Sequence, residues 1–101
     1  MKYANLIGYS DVQPYEVLDI SESGKTITIR SMICERTFTP EFIPGGFMAH
    51  CVNQGDQTWA VNPDHEAQPI KARLHKDGYF WSLFGKHKLE DTPRKFYDYN
   101  F

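Results

Sequence analysis

Apolar and polar side chains alternate with a period of two along much of the chain. In residues 26–30, Ile27 and Ile29 alternate with polar neighbours, which is the pattern of a strand with one buried face. The segment Tyr15-Glu16-Val17-Leu18-Asp19-Ile20 precedes it and is also predicted to be a strand. The loop between them contains Gly24, which can adopt the positive φ of a tight turn. The pattern therefore predicts a β-hairpin over residues 15–30.

A second hairpin is predicted over residues 68–84. Its loop at residues 76–78 reads Lys-Asp-Gly, which suits a type I turn closed by a left-handed glycine and a bulge. This loop sets the register, so that Arg73 faces Trp81 and can stack on it. One face of the hairpin then carries Ile70, Ala72, Leu74, Phe80, Ser82 and Phe84, and the other carries Lys71, Arg73, His75, Tyr79, Trp81 and Leu83.

The segment between the hairpins is predicted to contain one long ordered loop, at residues 38–47. Two prolines and a glycine pair exclude a central strand or a helix interior there. The loop is expected to be ordered because Phe42 and Ile43 are costly to leave in water. Residues 47–53 and 57–61 are predicted strands, residues 62–66 a turn, and residues 95–101 a final strand.

These elements predict the fold class. About six short strands, with turns every 8–12 residues, are typical of a small barrel or sandwich. No segment shows a convincing apolar stripe of helical period, so the chain is predicted to be all-β with little helix. We favour a small antiparallel β-barrel of the Src-homology-3-like kind, with residues 1–101 as a single domain.

The charge composition excludes two classes of protein. Eleven Lys and Arg against 13 Asp and Glu give a net charge of -2, which excludes a strongly basic DNA coat and an acidic disordered tail. Residues 1–66 hold 4 basic and 9 acidic side chains (net -5), and residues 67–95 hold 7 basic and 3 acidic (net +4); Asp98 completes the total of -2. Two interpretations stay open: a two-sided molecule that steers a charged partner, or solvated faces that the fold interleaves.

The second hairpin supplies the leading candidate binding residues, Lys71, Arg73, Tyr79 and Trp81. Aromatic and arginine side chains dominate protein interfaces, and the same combination stacks bases and contacts phosphates. Alternatively, the rest of the barrel covers both rings. Phe42 and Ile43 are a second candidate, either as a binding loop or as a lid that fills one end of the barrel.

The sequence gives little support for catalysis or metal binding. It contains no phosphate loop, nucleophile elbow or paired metal-ligand motif, and His50 and Cys51 would point to opposite faces of a strand. We therefore predict a protein that is not an enzyme and has no cofactor and no metal. Two cysteines, Cys34 and Cys51, are expected as free thiols in a reducing cytoplasm. No run of about 20 apolar residues is present, so no membrane partner is predicted.

Several motifs taken together resemble a family of short, uncharacterised proteins that bacteriophages and prophages encode. The motifs are Tyr9-Ser10-Asp11, Pro14-Tyr15-Glu16-Val17, Gly24-Lys25-Thr26-Ile27-Thr28-Ile29, His50-Cys51-Val52-Asn53-Gln54, Lys76-Asp77-Gly78 and Tyr97-Asp98-Tyr99-Asn100-Phe101. The resemblance covers most of the chain and carries over no functional residue. It implies an accessory protein that binds and blocks a bacterial host protein, with components of antiviral defence such as CRISPR effectors among the targets.

The leading expectation is therefore a non-catalytic phage-type protein in the host cytoplasm that occupies a surface of a host protein. A single-stranded nucleic-acid-binding module is the first alternative, since it would use the same basic and aromatic side chains. A small virion or assembly component, which would self-associate through an exposed sheet edge, is the second. A homo-oligomer is left open.

Overall fold

The computed structural model describes residues 2–37 and 57–97, together with the backbone of residues 42–43 and 50–51. These residues contain strands and turns and no helix, which confirms the predicted all-β class. The strands are β1 (Tyr3–Ile7), β2 (Val12–Gln13), β3 (Tyr15–Ile20), β4 (Thr26–Arg36), β5 (Phe42–Ile43), β6 (His50–Cys51), β7 (Trp59–Pro63), β8 (Ile70–Leu74), β9 (Phe80–Ser82) and β10 (Gly85–Glu90).

Six strands form a closed antiparallel barrel in the order β1, β3, β4, β8, β9, β10. β10 pairs with β1 and completes the ring, with Ala4 opposite Leu89 and Leu6 opposite His87. Closure of the ring gives each of these strands a partner on both sides. The predicted small antiparallel barrel is therefore confirmed.

The barrel core follows from the period of two in the strands. Ile27 and Ile29 of β4 point inward and have almost no solvent exposure. They meet inward side chains from the other strands of the ring, namely Ala4, Tyr15, Ala72 and Phe80. Ala4 and Ala72 are small and leave room for the rings of Tyr15 and Phe80, so side chains fill the narrow interior.

The first hairpin is confirmed. Tyr15 lies opposite Ser31 and Ile20 opposite Ile27, and Gly24 has a φ of 72° in the connecting turn. A bulge between Val17 and Asp19 interrupts the pairing of β3 with β4. An extra residue in one strand increases the local twist, which helps a short sheet to curve into a barrel.

Strand β4 is longer than the sequence predicts, because it continues through residues 31–36. Along one edge it pairs first with β8 and then, beyond the barrel, with β7. β7 begins at Trp59 and ends at Pro63, so both of its ends lie two residues later than predicted. A proline is tolerated in β7 because, among the described residues, this strand pairs on one side only, with β4. A turn at residues 65–66 then separates β7 from β8, within the predicted turn region.

Most of the predicted long loop lies outside the described residues. Within it, the backbone of Phe42–Ile43 forms β5 and pairs with β6 at His50–Cys51. The remainder of the predicted strand at residues 47–53 is not described. At the C-terminal end, Phe96 makes a bridge with Val12, and the predicted strand beyond Tyr97 lies outside the described residues.

The two isoleucines Ile29 and Ile33 of β4 provide a matched test of the barrel. Ile29→Ala should lower the free energy of unfolding by about 3 kcal/mol, because Ile29 has no exposed surface and the substitution leaves a cavity in the core. Ile33 is 43% exposed, so Ile33→Ala should cost only about 0.5 kcal/mol. Urea unfolding measures both values. Equal losses would contradict the inward orientation of Ile29.

Candidate partner-binding face

The outer surface of β8, β9 and β10 brings cations and aromatic rings together. Strand register places Arg73 of β8, Trp81 of β9 and Lys86 of β10 side by side in one row across the sheet. Lys71 is exposed on the same side of β8, two residues from Arg73. We call the surface formed by Lys71, Arg73, His75, Tyr79, Trp81 and Lys86 the cationic–aromatic face.

The Trp81 ring is held in place by the turn that precedes β9. Its Nε1 donates a hydrogen bond of 3.0 Å to Asp77 Oδ2, and the His75 ring stacks on it at 5.5 Å between centroids. The Tyr79 backbone N–H donates to the other oxygen of Asp77 at 2.9 Å, and this bond is the main cause of a lowered Asp77 pKa. Asp77 is thus an ionised anchor that fixes the orientation of the ring before any partner arrives.

The predicted turn at residues 76–78 is confirmed. Gly78 has a φ of 85°, and its N–H donates to the His75 carbonyl, while the His75 N–H donates to Tyr79. The register that follows from this turn places Arg73 opposite Trp81, as predicted. This opposition would allow Arg73 to stack on Trp81, and the ring that stacks on Trp81 in the structure is that of His75.

The two aromatic residues of the face differ in exposure. Trp81 is 37% exposed, so the alternative in which the barrel covers both rings is wrong for this residue. Tyr79 is half-buried, and Lys86 Nζ lies 4.9 Å from the centroid of its ring. Sequence reasoning missed Lys86, because it did not predict the strand that carries this residue next to Trp81.

The predicted end of the second hairpin is wrong, because β9 is shorter than the sequence predicts. The sequence pattern predicts that the strand extends to Phe84, with Leu83 beside Lys71 on the mixed face and Phe84 on the inner face. In the structure β9 ends at Ser82, and Leu83 and Phe84 form a two-residue turn in which both are exposed. The turn glycine is Gly85, which follows the two residues and has a φ of 134°. Gly85, the residue that permits this turn, thus lies one position after the predicted end of the strand.

The side chains of the second predicted site, Phe42 and Ile43, lie outside the part of the chain that the structure describes. Only the backbone of these two residues is described, in the two-residue strand β5. Their proposed roles as a binding loop or a barrel lid stay predictions.

A serine and a histidine meet inside the barrel. His87 has no exposed surface; its Nδ1 donates to the Ala4 carbonyl at 3.1 Å, and its Nε2 accepts from the Ser82 hydroxyl at 2.7 Å. Burial lowers the His87 pKa, which favours the neutral ring near neutral pH. Through these two hydrogen bonds the ring joins β1, β9 and β10. Because the ring has no exposed surface, it offers no accessible base to a substrate.

The described cysteine is poorly suited to nucleophilic chemistry. Burial raises the pKa of the Cys34 thiol, against a smaller opposite effect of Lys95 and Gln13. A higher pKa leaves less of the reactive thiolate near neutral pH. Among the residues that the structure describes, no group of three metal-ligating side chains comes together.

A shallow cleft of about 360 Å³ borders β7. Lys95 Nζ lies 5.5 Å from the centroid of the Trp59 ring and donates to Gln13 Oε1 at 2.8 Å. Gln57 accepts hydrogen bonds from the Trp59 indole and the Tyr97 backbone N–H, both at 2.9 Å. These polar groups form hydrogen bonds with their neighbours in the protein, so the residues that line the cleft mainly hold the C-terminal segment against β7.

The chain matches no protein-family model, no curated protein and no solved structure. The described residues include no helix with the length and apolar character to cross a membrane. The cationic–aromatic face is therefore the feature from which a function is inferred.

The buried His87 predicts a pH dependence of stability. Because its pKa is lowered in the folded state, the unfolded chain binds a proton more tightly than the folded protein. Stability should therefore fall as the pH drops below about 6.5, the ordinary histidine pKa, with His87 contributing up to about 1.4 kcal/mol per pH unit. Chemical denaturation at several pH values measures this slope. A slope that is the same in His87→Gln and in the parent would contradict the assignment.

Proposed function

We propose that the barrel is a non-catalytic accessory binding domain of phage type, which docks the cationic–aromatic face on an acidic surface of a bacterial host protein. The observation that carries this proposal is the row of Arg73, Trp81 and Lys86 with an exposed ring at its centre. Such a domain acts by occlusion and needs no reacting group. Inhibition of a host defence protein is one role of this kind.

Charge on the face supports an acidic partner. Lys71 and Arg73 are exposed, and within the described part of the chain neither makes an ion pair. By contrast, Glu16 and Glu90, which lie elsewhere on the barrel, are bonded to nearby arginines. Lys71 and Arg73 therefore remain free to attract carboxylates and to raise the rate of association.

The rings of the face favour a protein over a nucleic acid. Single-stranded nucleic acids bind through bases that stack on open aromatic faces. Here His75 already stacks on Trp81, and Lys86 lies over Tyr79. An anchored tryptophan flanked by arginine is a common centre of a protein interface, for which about 800 Å² per partner is sufficient.

A charge-reversal pair tests the host-protein proposal. Tagged wild-type protein should capture a stoichiometric partner from bacterial lysate, and Lys71→Glu/Arg73→Glu should reduce capture at least about tenfold, because like charges then face each other. The control Lys2→Glu/Lys25→Glu makes the same change of net charge at exposed lysines outside the face and should bind normally. No stoichiometric partner for the wild type, or equal capture by both variants, would contradict the proposal.

A separate binding measurement tests the alternative that the partner is a single-stranded nucleic acid. Fluorescence anisotropy with a labelled single-stranded oligonucleotide at low salt should show no binding if the partner is a protein. Binding that weakens steeply as salt is added, and that Lys71→Glu/Arg73→Glu removes, would instead identify a nucleic-acid-binding surface.

A further inference from the structure

An exposed histidine belongs to the cationic–aromatic face. The ring of His75 stacks on the indole of Trp81, with 5.5 Å between the centroids and 27° between the planes. The backbone of His75 is bonded on both sides within its turn, since its N–H donates to the Tyr79 carbonyl and its own carbonyl accepts from the Gly78 N–H. The turn therefore holds the imidazole against the ring on which we propose that a partner docks.

An ionised carboxylate lies beside the same indole. Asp77 accepts the indole N–H of Trp81, and its pKa is lowered mainly by the hydrogen bond from the Tyr79 N–H and to a smaller extent by the charge of His75. Asp77 and His75 are thus close enough to interact electrostatically. A protonated imidazole in this position has a carboxylate and the π face of an indole as neighbours, and both attract a cation.

The remaining charged and titratable groups around the imidazole are mostly cationic. They come from its own turn, from β8, from the residue before β9, from β10 and from the turn that adjoins the end of β8: Lys76, Arg73, Tyr79, Lys86, Glu22 and Lys25. On the face itself, Lys71, Arg73 and Lys86 with the anion Asp77 give a net charge of +2 while the imidazole is neutral. Protonation of His75 raises this charge to +3.

We propose that His75 makes the docking of this face on an acidic partner depend on pH, with tighter binding when the imidazole is protonated. Histidine is the side chain whose charge ordinarily changes between about pH 5 and about pH 8. The added charge lies at the centre of the contact, where it faces the carboxylates of the partner. This inference rests on the proposed function and adds a regulation to it.

The other two histidines with described side chains do not share this position. His87 is fully buried in the barrel. His65 is exposed in the turn after β7, where its Nδ1 lies 3.4 Å from Nη2 of Arg30. A pH dependence that arises on the face is therefore assigned to His75, and His65 provides a matched control.

The emission of Trp81 reports the charge of His75 without any partner. Trp59→Phe leaves Trp81 as the tryptophan of the chain. Because a protonated imidazole stacked on an indole quenches its emission, the signal should fall as the pH is lowered from about 8 to about 6. His75→Gln in the same background should remove this change, and His65→Gln should keep it. Circular dichroism at each pH checks that the variants are folded.

Binding of an acidic probe tests the regulation itself. Fluorescence anisotropy with a rhodamine-labelled peptide of about ten glutamates is measured at about pH 6 and about pH 8, where the glutamates stay ionised. The ratio of the two affinities should be at least about twofold larger for the wild type than for His75→Gln. His65→Gln should behave as the wild type does, because it removes an exposed histidine outside the face.

The outcomes separate this inference from the function on which it rests. Peptide binding with the same pH ratio in the wild type and in His75→Gln would overturn the regulation and leave the docking proposal standing. An emission of Trp81 whose pH dependence is unaffected by His75→Gln would also overturn the regulation. No peptide binding by the wild type at either pH would contradict docking on an acidic surface, and the regulation with it.

Discussion

The pairing of β10 with β1 is the constraint on which the rest of the structure depends. This antiparallel contact joins the first and the last of the described strands and turns an open sheet into a closed ring. Once the ring is closed, alternate residues of each strand must point into a narrow core and the others must face outward. The buried His87 lies at this seam, where it bonds the Ala4 carbonyl and the Ser82 hydroxyl. Both ring nitrogens are therefore satisfied, and a polar side chain is accommodated in the core at little cost.

The same alternation explains the chemistry of the outer surface. Ala72 and Phe80 fill the barrel, so their neighbours Arg73 and Trp81 must lie outside. Asp77 then fixes the indole through a hydrogen bond from the turn. A ring that is already oriented loses less conformational entropy on binding than a free one. Because this orientation comes from a rigid hairpin, the candidate face is part of the scaffold and is not a separate loop.

Local features were predictable from the sequence, and long-range features were not. The two hairpins follow from turn residues and alternation within short segments, which is why the opposition of Arg73 and Trp81 was correct. Barrel closure joins segments about 85 residues apart, and no local pattern encodes that contact. His87 therefore gave no sign that it is a core residue. The Leu83–Phe84 turn was missed because both residues are apolar, Phe84 favours strands, and the glycine that permits the turn comes after them.

The central claim is that the register of the second hairpin places an anchored tryptophan on the outside of a closed barrel. Nuclear Overhauser contacts of the Trp81 indole test this claim most directly. The structure requires contacts between the indole and the ring protons of His75, and none with the core methyl groups of Ile27 or Ala72. Strong contacts between the indole and either core residue would show a register shifted by one residue, with Trp81 inside, and would contradict the account.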